Sequence, residues 1–428
     1  MSSIAPTDPT SDIAPALTTA DGMPLKASLA RALRRNKLKA LGLVAPLFIF
    51  LTISFVIPIA DMLFRSVDNE LVSKVLHRTV PELRKWDASS TTLPDAAVYA
   101  AIVEDFKEGR ETRTIGRVGV RLNYEVSGMS SLFRKTARKA KGLVGPDFKS
   151  ALIKLDKKWG ALTTWQVIHR ESDKLTPAYY LSALDLRLSP EGEIELQPEN
   201  RQIYQTLFWR TLRLSLVITL LCLVLGYPIS YLMATLPSKT SNLLMIMVLL
   251  PFWTSLLVRT TCWIALLQQQ GVLNDLFVAI GLIDDNNRLE MIHNQVGTII
   301  AMTHILLPFM VLPLFSVMKT IPPSYMRAAR SLGATPLVAF VRVYMPNTVP
   351  GIGAGCILVF IIAIGYYITP ELVGGVSGTL ISNFIAYHMQ SSLNWGLAAA
   401  LGAILLAIVL VLYVLYDKIV GIDNMKFG

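Results

Sequence analysis

The sequence predicts an all-α membrane protein with about six transmembrane helices and one small domain outside the bilayer. Of its 428 residues, 53% are hydrophobic and only 16% are charged, and the mean hydropathy is +0.49. Soluble domains average about a quarter charged residues, so this chain has too little polar surface to be a water-soluble protein. Long apolar segments and an uneven distribution of basic residues, described below, support the same class.

The transmembrane helices are predicted from apolar windows of about twenty residues, the length that crosses the hydrocarbon core. Backbone polar groups in lipid must pair within their own segment, so each window is predicted to be a helix. The windows are 42–64, 212–234, 242–267, 295–318, 348–368 and 395–416.

The orientation follows from the basic residues. A basic tail, residues 1–41, precedes the first span, and no A-x-A-like cleavage site follows that span, so we expect an uncleaved anchor behind a disordered cytoplasmic tail. The short segments on the same side, 235–241, 319–347 and 417–428, carry seven Lys and Arg residues, whereas the opposite short loops 268–294 and 369–394 carry only Arg288. By the positive-inside rule, both the N-terminus and the C-terminal tail 417–428 are cytoplasmic.

The segment 65–205 separates the first span from a five-helix core at 206–416, and we expect it to be extracytoplasmic. Helical spacing of apolar residues predicts helices at 95–108 and 147–158, each with an Asp at its N-cap. Alternation near 182–197 predicts a β-hairpin, so the insert is α-rich or α+β. The basic stretch 134–141 is interpreted as a solvated helix face, with an acidic partner as the alternative.

The cytoplasmic loop 319–347 is too punctuated for a passive linker. Ser324 is placed to cap a short helix over Tyr325–Leu332, and Gly333 provides a C-terminal stop. Thr335 is placed to cap a second helix with Pro336 at its first position. Pro346 is expected to end that helix near Met345. Two short helices presented between spans are suited to docking on a soluble partner.

This loop resembles the cytoplasmic loop of ABC importer permeases, in which Glu-Ala-Ala is followed by Gly after three residues and by Ile-x-Leu-Pro after nine more. The corresponding residues here are Arg327, Ala328, Ala329, Gly333, Val343 and Pro346. Arg327 stands where the family pattern has Glu. A Glu there would complete a capping box with Ser324, which Arg cannot do.

Residues 206–416 also resemble the spermidine/putrescine branch of that family, in the stretches 206–234, 249–274 and 365–375. The resemblance implies a type I importer fold, a second permease subunit, a pair of ATPase subunits and an extracytoplasmic solute-binding protein. Tyr366 stands where many relatives have Asp, and this weakens a polyamine assignment because a carboxylate attracts a polyammonium solute more strongly than a phenol ring does.

Four residues are candidates for the substrate pathway: Trp253, Arg259, Tyr366 and Tyr367. Arg259 is a charge inside a predicted span and therefore a pathway candidate, with snorkelling to the outer interface as the alternative. The aromatic residues could contact a cationic solute or serve as interfacial anchors. Gly351 and Gly355 have the spacing that permits close helix approach, and His304 is interpreted as satisfied by a neighbouring helix.

The sequence contains no G-x-x-x-x-G-K-[ST] loop and no H-E-x-x-H motif, so we expect no catalytic or metal-binding residues, no cofactor, and ATP bound only by the partner subunit. The three cysteines, Cys222, Cys262 and Cys356, are interpreted as small core residues. We therefore expect a permease subunit in the cell inner (plasma) membrane that imports a polyamine or a similar small organic solute. It contacts the lipid bilayer and no nucleic acid. The alternatives are a secondary transporter and a membrane-anchored sensor or scaffold.

Overall fold

The structure is a computed structural model that describes residues 25–189 and 192–420, and it is almost entirely helical there. The helices are α1 Leu25–Leu51, α2 Ile57–Arg65, α3 Glu70–Val75, α4 Thr79–Leu83, α5 Ala96–Glu111, α6 Ile115–Glu125, α7 Met129–Lys139, α8 Phe148–Leu155, α9 Leu162–Arg170, α10 Ala178–Ala183, α11 Tyr204–Thr235, α12 Ser238–Leu249, α13 Leu256–Leu267, α14 Val272–Ala279, α15 Gln295–Thr320, α16 Pro323–Ser331, α17 Pro336–Ala339, α18 Met345–Gly365, α19 Ile368–Val373, α20 Gly375–Gly378, α21 Ile381–Gln390 and α22 Trp395–Val420. Two strands are described, β1 Leu186–Leu188 and β2 Ile194–Leu196. The predicted all-α class is confirmed.

The chain divides between Met62 and Leu63 into two compact units. In the first unit, α1 continues through a π-helical turn at Thr52–Val56 into α2. The apolar part runs from Leu33 to Arg65, and its 33 residues are more than enough to span a bilayer. The tail was predicted to be disordered up to residue 41, but it is helical from Leu25 onward. The helix of the apolar span continues outward through the basic residues. Residues 1–24 lie outside the described residues.

The insert between the first span and α11 is a helical domain with its own aromatic core. Trp159 and Trp165 are fully buried, and their rings pack 5.3 Å apart between Phe106, Phe133 and Tyr99. The predicted helices correspond to α5 and α8. At α8 the side chain of Asp147 accepts the Ser150 amide at 3.0 Å as a cap, whereas at α5 Asp95 makes no side-chain cap bond. Such a core makes the insert a folded domain rather than a loop.

The predicted hairpin is present. β1 and β2 pair antiparallel, with Leu188 opposite Ile194, and the Gly192 amide donates to the Ser189 carbonyl across the turn. Gly192 adopts φ +95°, a conformation that glycine tolerates best. Pro190 and Glu191 in this turn lie outside the described residues.

A buried charged network also stabilises the insert. Arg121 donates to Asn69 at 3.0 Å, to Glu125 at 2.8 Å and to Glu171 at 2.6 Å. Arg170 bonds the same two carboxylates at 3.1 and 3.0 Å. Each buried charge therefore has an opposite partner, the condition under which a protein interior tolerates it.

The insert is fixed to the helical bundle at the start of α11. Asp185, which is 3% exposed, accepts the backbone amides of Ile203, Tyr204 and Gln205 at 3.0, 3.0 and 2.8 Å. These amides belong to the first turn of α11 and have no partner within the helix. Tyr179 also lies against the start of α22, where a side chain added at Gly396 would come within 2.4 Å of its ring.

The bundle is built on three helices, α11, α15 and α18, which pack along their lengths. Gly355 allows the closest approach, because a Cβ there would lie 3.2 Å from the main-chain oxygen of Met310. A Cβ at Gly351 would lie 3.2 Å from the Leu314 Cα. The G-x-x-x-G spacing thus serves packing between α15 and α18 inside this subunit.

The third predicted span, 242–267, is broken rather than straight. The segments Ser238–Trp253 and Leu256–Ala279 meet at an angle of 97°. Pro251 lies in a 3₁₀ turn just before the break, and Thr254 and Ser255 have extended backbones. Five described helices are therefore long and apolar enough to cross a membrane, and the bent pair would provide a sixth.

Of the three cysteines, Cys222 is buried and Cys356 half-buried, but Cys262 is exposed on this chain. The interpretation of Cys262 as a core residue is therefore wrong. Apolar sequence around a residue does not distinguish an interior helix face from a lipid-facing one.

Candidate functional site

The loop 319–347 forms a compact, exposed element built from α16 and α17. α16 begins at Pro323 with Pro322 as its N-cap, two residues earlier than predicted, and no side-chain bond caps it. The prediction of Ser324 as the N-cap is therefore wrong, because Pro323 fits the first helical position and takes it. Arg327 consequently lies beyond the capping position, and the capping-box argument against Arg does not apply.

The turn between the two short helices has the predicted geometry. Gly333 adopts φ +93°, and the Ala334 amide donates to the Ala329 carbonyl at 3.1 Å. This is a helix C-cap in which glycine supplies the left-handed residue. Thr335 then caps α17 by accepting the Val338 amide at 3.4 Å, and Pro336 occupies the first position. The sequence predicted both features.

The second short helix does not end at Met345. α17 passes through a π-helical turn at Phe340–Tyr344 directly into α18, so Pro336–Gly365 is one continuous helical segment of 30 residues. Pro346 is accommodated near the start of α18, where the Met345 amide bonds back to Phe340 in π-helical register. A π-bulge shifts the hydrogen-bond register and removes the clash that Pro causes in a regular helix. Val343 lies half-buried within this turn.

The outer surface of the loop combines apolar and basic side chains. Leu332 is 89% exposed and Leu337 is 73% exposed. Arg327, Ala328 and Arg330 are also exposed on α16, and Ala329 is half-buried. Leu332 lies outside the candidate membrane spans, and an apolar side chain this exposed there is typical of a surface that a partner covers.

This loop and the insert lie at opposite ends of the bundle. Tyr204 of α11 begins the helix at the insert, whereas Tyr231 packs its ring against Phe340 and Tyr344 of the loop. The 27 residues between Tyr204 and Tyr231 correspond to about 40 Å of helix. A membrane crossed by α11 therefore separates the insert from the loop.

The pathway candidates do not form one cluster. Trp253, 71% exposed, lies at the break of the third span, and Tyr367, 41% exposed, lies at the N-terminus of α19. Arg259 and Tyr366 are close enough to interact electrostatically. Arg259 Nε is buried without a hydrogen-bond partner. Of the four candidates, Arg259 and Tyr366 lie within range of an electrostatic interaction, and Tyr367 follows Tyr366 directly in the chain.

Two further contacts surround Arg259. Trp263 donates from Nε1 to His304 Nδ1 at 3.1 Å, which joins α13 to α15, so His304 is satisfied by a neighbouring helix as predicted. Thr260 and Thr369 place their hydroxyls 3.3 Å apart and join α13 to α19. Polar pairs between helices hold a bundle together in lipid, where unpaired groups are costly.

Sequence reasoning missed a cavity of about 740 Å³ between α11, α19 and α21, at the insert end of the bundle. Its wall includes Arg210, Tyr367, Glu371, Phe384 and Tyr387. These residues come from segments more than 150 positions apart, so no local pattern joins them. The volume is within the range of small-molecule sites.

Comparison with known proteins places the helical core in a family. Residues 226–420 match the family described as binding-protein-dependent transport system inner membrane component. The chain is 36% identical over 224 residues to the spermidine/putrescine transport system permease protein PotB of Escherichia coli, covering 52% of this chain and 81% of that protein. It is 34% identical to PotB of Haemophilus influenzae, covering 51% and 77%. An Escherichia coli inner membrane ABC transporter permease protein, YdcU, is 32% identical over 223 residues, covering 50% and 70%.

Among solved structures, a bacterial ABC transporter that imports alginate matches 51% of this chain and 80% of its own, with 20% identity and a TM-score of 0.41. The sequence relatives carry the assignment without it, because each is more than 30% identical and the match covers at least 70% of its length. The chain belongs to the polyamine-type ABC permeases, the inner-membrane components of binding-protein-dependent transport systems.

Proposed function

We propose that this chain is one permease subunit of an ATP-driven importer and that the loop 319–347 docks onto a separate ATPase subunit. The observation that carries the proposal is the geometry of this loop: two short helices held at a fixed angle by Gly333 and Thr335, exposed, and continuous with α18. A rigid element of this kind transmits displacement, whereas a flexible linker would absorb it.

The coupling runs from the loop to the bundle core. Because α17 and α18 form one continuous helical segment, movement of the loop moves a helix that lines the centre of the subunit. ATP-driven closure of the ATPase pair would draw the loops of two permeases together and turn the pathway from inward-facing to outward-facing. Two rigid arrangements separated by such a rotation are the usual form of a transport switch. ATP is bound by the partner ATPase, and this chain needs no cofactor of its own.

In the proposed orientation, the loop, the N-terminus and the C-terminus lie in the cytoplasm, and the insert lies outside. Support comes from Lys319, Arg327, Arg330 and Arg342 on the loop, against the single basic residue Arg288 in the short loops at the other end. Arg288 is itself neutralised by Asp275 and Asp285 at 2.8 and 2.7 Å. Because about 40 Å of helix separates the insert from the loop, the two lie on opposite sides of a membrane that α11 crosses. A cytoplasmic loop therefore requires that the insert lie outside.

The solute is proposed to be a polyamine or a similar small organic cation, delivered by an extracytoplasmic binding protein and passed through a pathway shared with a second permease. The names of the PotB relatives support the polyamine class. The insert enlarges the outer surface on which the binding protein docks. Deleting residues 70–197 without loss of uptake or of binding-protein affinity would refute that role for the insert.

The test is solute uptake into proteoliposomes containing this chain, the second permease and the ATPase, with loaded binding protein on the outside. ATP enclosed with the ATPase is expected to drive uptake, and a non-hydrolysable analogue is expected to give none. Uptake that persists without ATP and follows an ion gradient would instead identify a secondary transporter.

A further inference from the structure

The cavity between α11, α19 and α21 is called the outer cavity here, because the insert end of the bundle is proposed to be outside. It contains side chains suited to binding a positively charged group. Among its lining residues Glu371 is the only acidic one, and three aromatic rings, Tyr367, Phe384 and Tyr387, share the wall with it. A carboxylate beside aromatic faces is a favourable arrangement for an ammonium ion, through charge attraction and cation–π contact.

Glu371 is held in place but not neutralised. Its Oε2 accepts a hydrogen bond from Asn383 Nδ2 at 2.6 Å, and Asn383 is only 5% exposed. The same Nδ2 donates to the Tyr367 carbonyl at 2.9 Å, and the Asn383 oxygen accepts the Leu380 amide at 3.0 Å. Asn383 is therefore fully engaged and orients the carboxylate. Within residues 25–189 and 192–420, no salt bridge to Glu371 occurs.

The one basic residue of the cavity, Arg210, is engaged elsewhere. Its Nη1 donates to the backbone carbonyls of Val376 at 2.8 Å and Thr379 at 3.4 Å. These bonds fix the guanidinium on the α19–α21 connection rather than on Glu371. Glu371 thus lines a cavity at the insert end of the bundle, the end proposed to be outside, and no hydrogen bond to its Oε1 occurs within the described residues.

We propose that this cavity receives an ammonium group of the incoming solute, with Glu371 as its counter-charge and Tyr367, Phe384 and Tyr387 as the aromatic wall. This proposal rests on the proposed function as an importer and assigns it a specific entry site. Its lining includes Thr206 near the start of α11 and Gln390 at the end of α21. In the proposed orientation the solute therefore meets the cavity before it reaches Arg259 and Tyr366.

The experiment compares Glu371→Gln with Glu290→Gln in the reconstituted complete importer, using spermidine as the probe. Glutamine keeps the bond from Asn383 but removes the charge. Glu290 is the matched control, an exposed outer-loop carboxylate that also accepts from a side-chain amide, Gln269 Nε2 at 3.2 Å, and does not line the cavity. We expect Glu371→Gln to lower spermidine uptake about tenfold, which is the effect of losing one charge-assisted contact. We expect Glu290→Gln to leave uptake unchanged.

Three results would overturn the entry site. The first is unchanged uptake by Glu371→Gln, and the second is loss of assembly of Glu371→Gln with the second permease, which would show that a neighbouring subunit fills the cavity. The third is a wild-type importer that takes up another solute with ATP but does not take up spermidine. None of these results contradicts the permease role. Failure of the proposed function itself is distinguishable, because then the wild-type complex shows no ATP-dependent uptake at all.

Discussion

Phe340 and Tyr344 stack with ring centroids 5.6 Å apart and nearly parallel planes, and Tyr231 of α11 packs edge-on against both at 5.3 and 5.2 Å. The π-helical turn that contains Phe340 and Tyr344 links the exposed loop to α18. The three rings therefore lie where movement of the loop would reach a second helix of the bundle.

Replacing Tyr231 with Leu is expected to separate ATP hydrolysis from transport. The change removes two edge-to-face ring contacts, each worth about 0.5–1.5 kcal/mol, while leaving the outer surface of the loop unchanged. The solute imported per ATP hydrolysed should fall about fivefold, measured by uptake and phosphate release in the same proteoliposomes. Tyr413→Leu, at an exposed position of α22, serves as the control. An unchanged ratio in Tyr231→Leu would exclude this ring cluster from coupling.

Replacing Asp185 with Ala is expected to loosen the first turn of α11. The carboxylate accepts three backbone amides there, and loss of a helix cap costs about 0.5–2 kcal/mol. Asp185 also has φ +58°, which Asp tolerates better than Ala. Hydrogen exchange of the amides at 203–205 should accelerate by about twofold to thirtyfold, since local opening sets the exchange rate.

Asp95→Ala is the matched control for that experiment. Asp95 is the N-cap residue of α5 but makes no side-chain cap bond, whereas Asp185 reaches the start of α11 from the insert. Exchange at the start of α5 should therefore remain unchanged. Equal acceleration in both variants would mean that the acceleration does not depend on the hydrogen bonds that Asp185 accepts.

Replacing Arg121 with Ala is expected to destabilise the protein by about 3–5 kcal/mol, because the change leaves Glu171 buried with one of its two cations removed. Burial raises the pKa of Glu171, and the Arg121 guanidinium opposes that rise. Without Arg121 the folded-state pKa rises further above the unfolded value. The folded variant then binds a proton more tightly, so its stability deficit shrinks as the pH falls and grows as the pH rises through that pKa.

Denaturation midpoints at several pH values, compared between Arg121→Ala and wild type, measure this effect. Arg187→Ala is the control, because Arg187 pairs with Glu195 at 3.0 Å on the surface with both side chains about 45% exposed. Surface pairs of this kind contribute about 0–1 kcal/mol. A deficit in Arg121→Ala that does not vary with pH would contradict the role given to Glu171.

The sequence predicted the features set by local chemistry. Apolar length located the spans, and the turn residues Gly333 and Thr335 adopt the conformations that their backbone preferences favour. The break at Thr254 and Ser255 was not predicted, since a hydropathy window averages over a bend. The rule that Pro346 ends a helix failed because it assumes α-helical register, and the preceding turn is π-helical.

The candidate site could be predicted only in part. The loop is continuous in sequence, so its turn at Gly333 and its cap at Thr335 were predictable, whereas its role as the ATPase contact stays a prediction. The outer cavity joins Arg210 to Glu371 and Tyr387, and the cap of α11 comes from Asp185 in the insert. Such contacts depend on how distant segments pack, and a single sequence does not record that.

The most direct test of the loop as the ATPase contact is site-directed crosslinking from Leu332, its most exposed large apolar residue. Cys222, Cys262 and Cys356 would first be replaced by Ser or Ala, and a single cysteine introduced by Leu332→Cys, with Val144→Cys in the insert as the control because both positions are 89% exposed. The account predicts that Leu332→Cys crosslinks to the ATPase subunit in the assembled complex and that Val144→Cys does not. Capture of the ATPase from Val144, or labelling of Leu332→Cys by a membrane-impermeant reagent applied outside the cell, would contradict it.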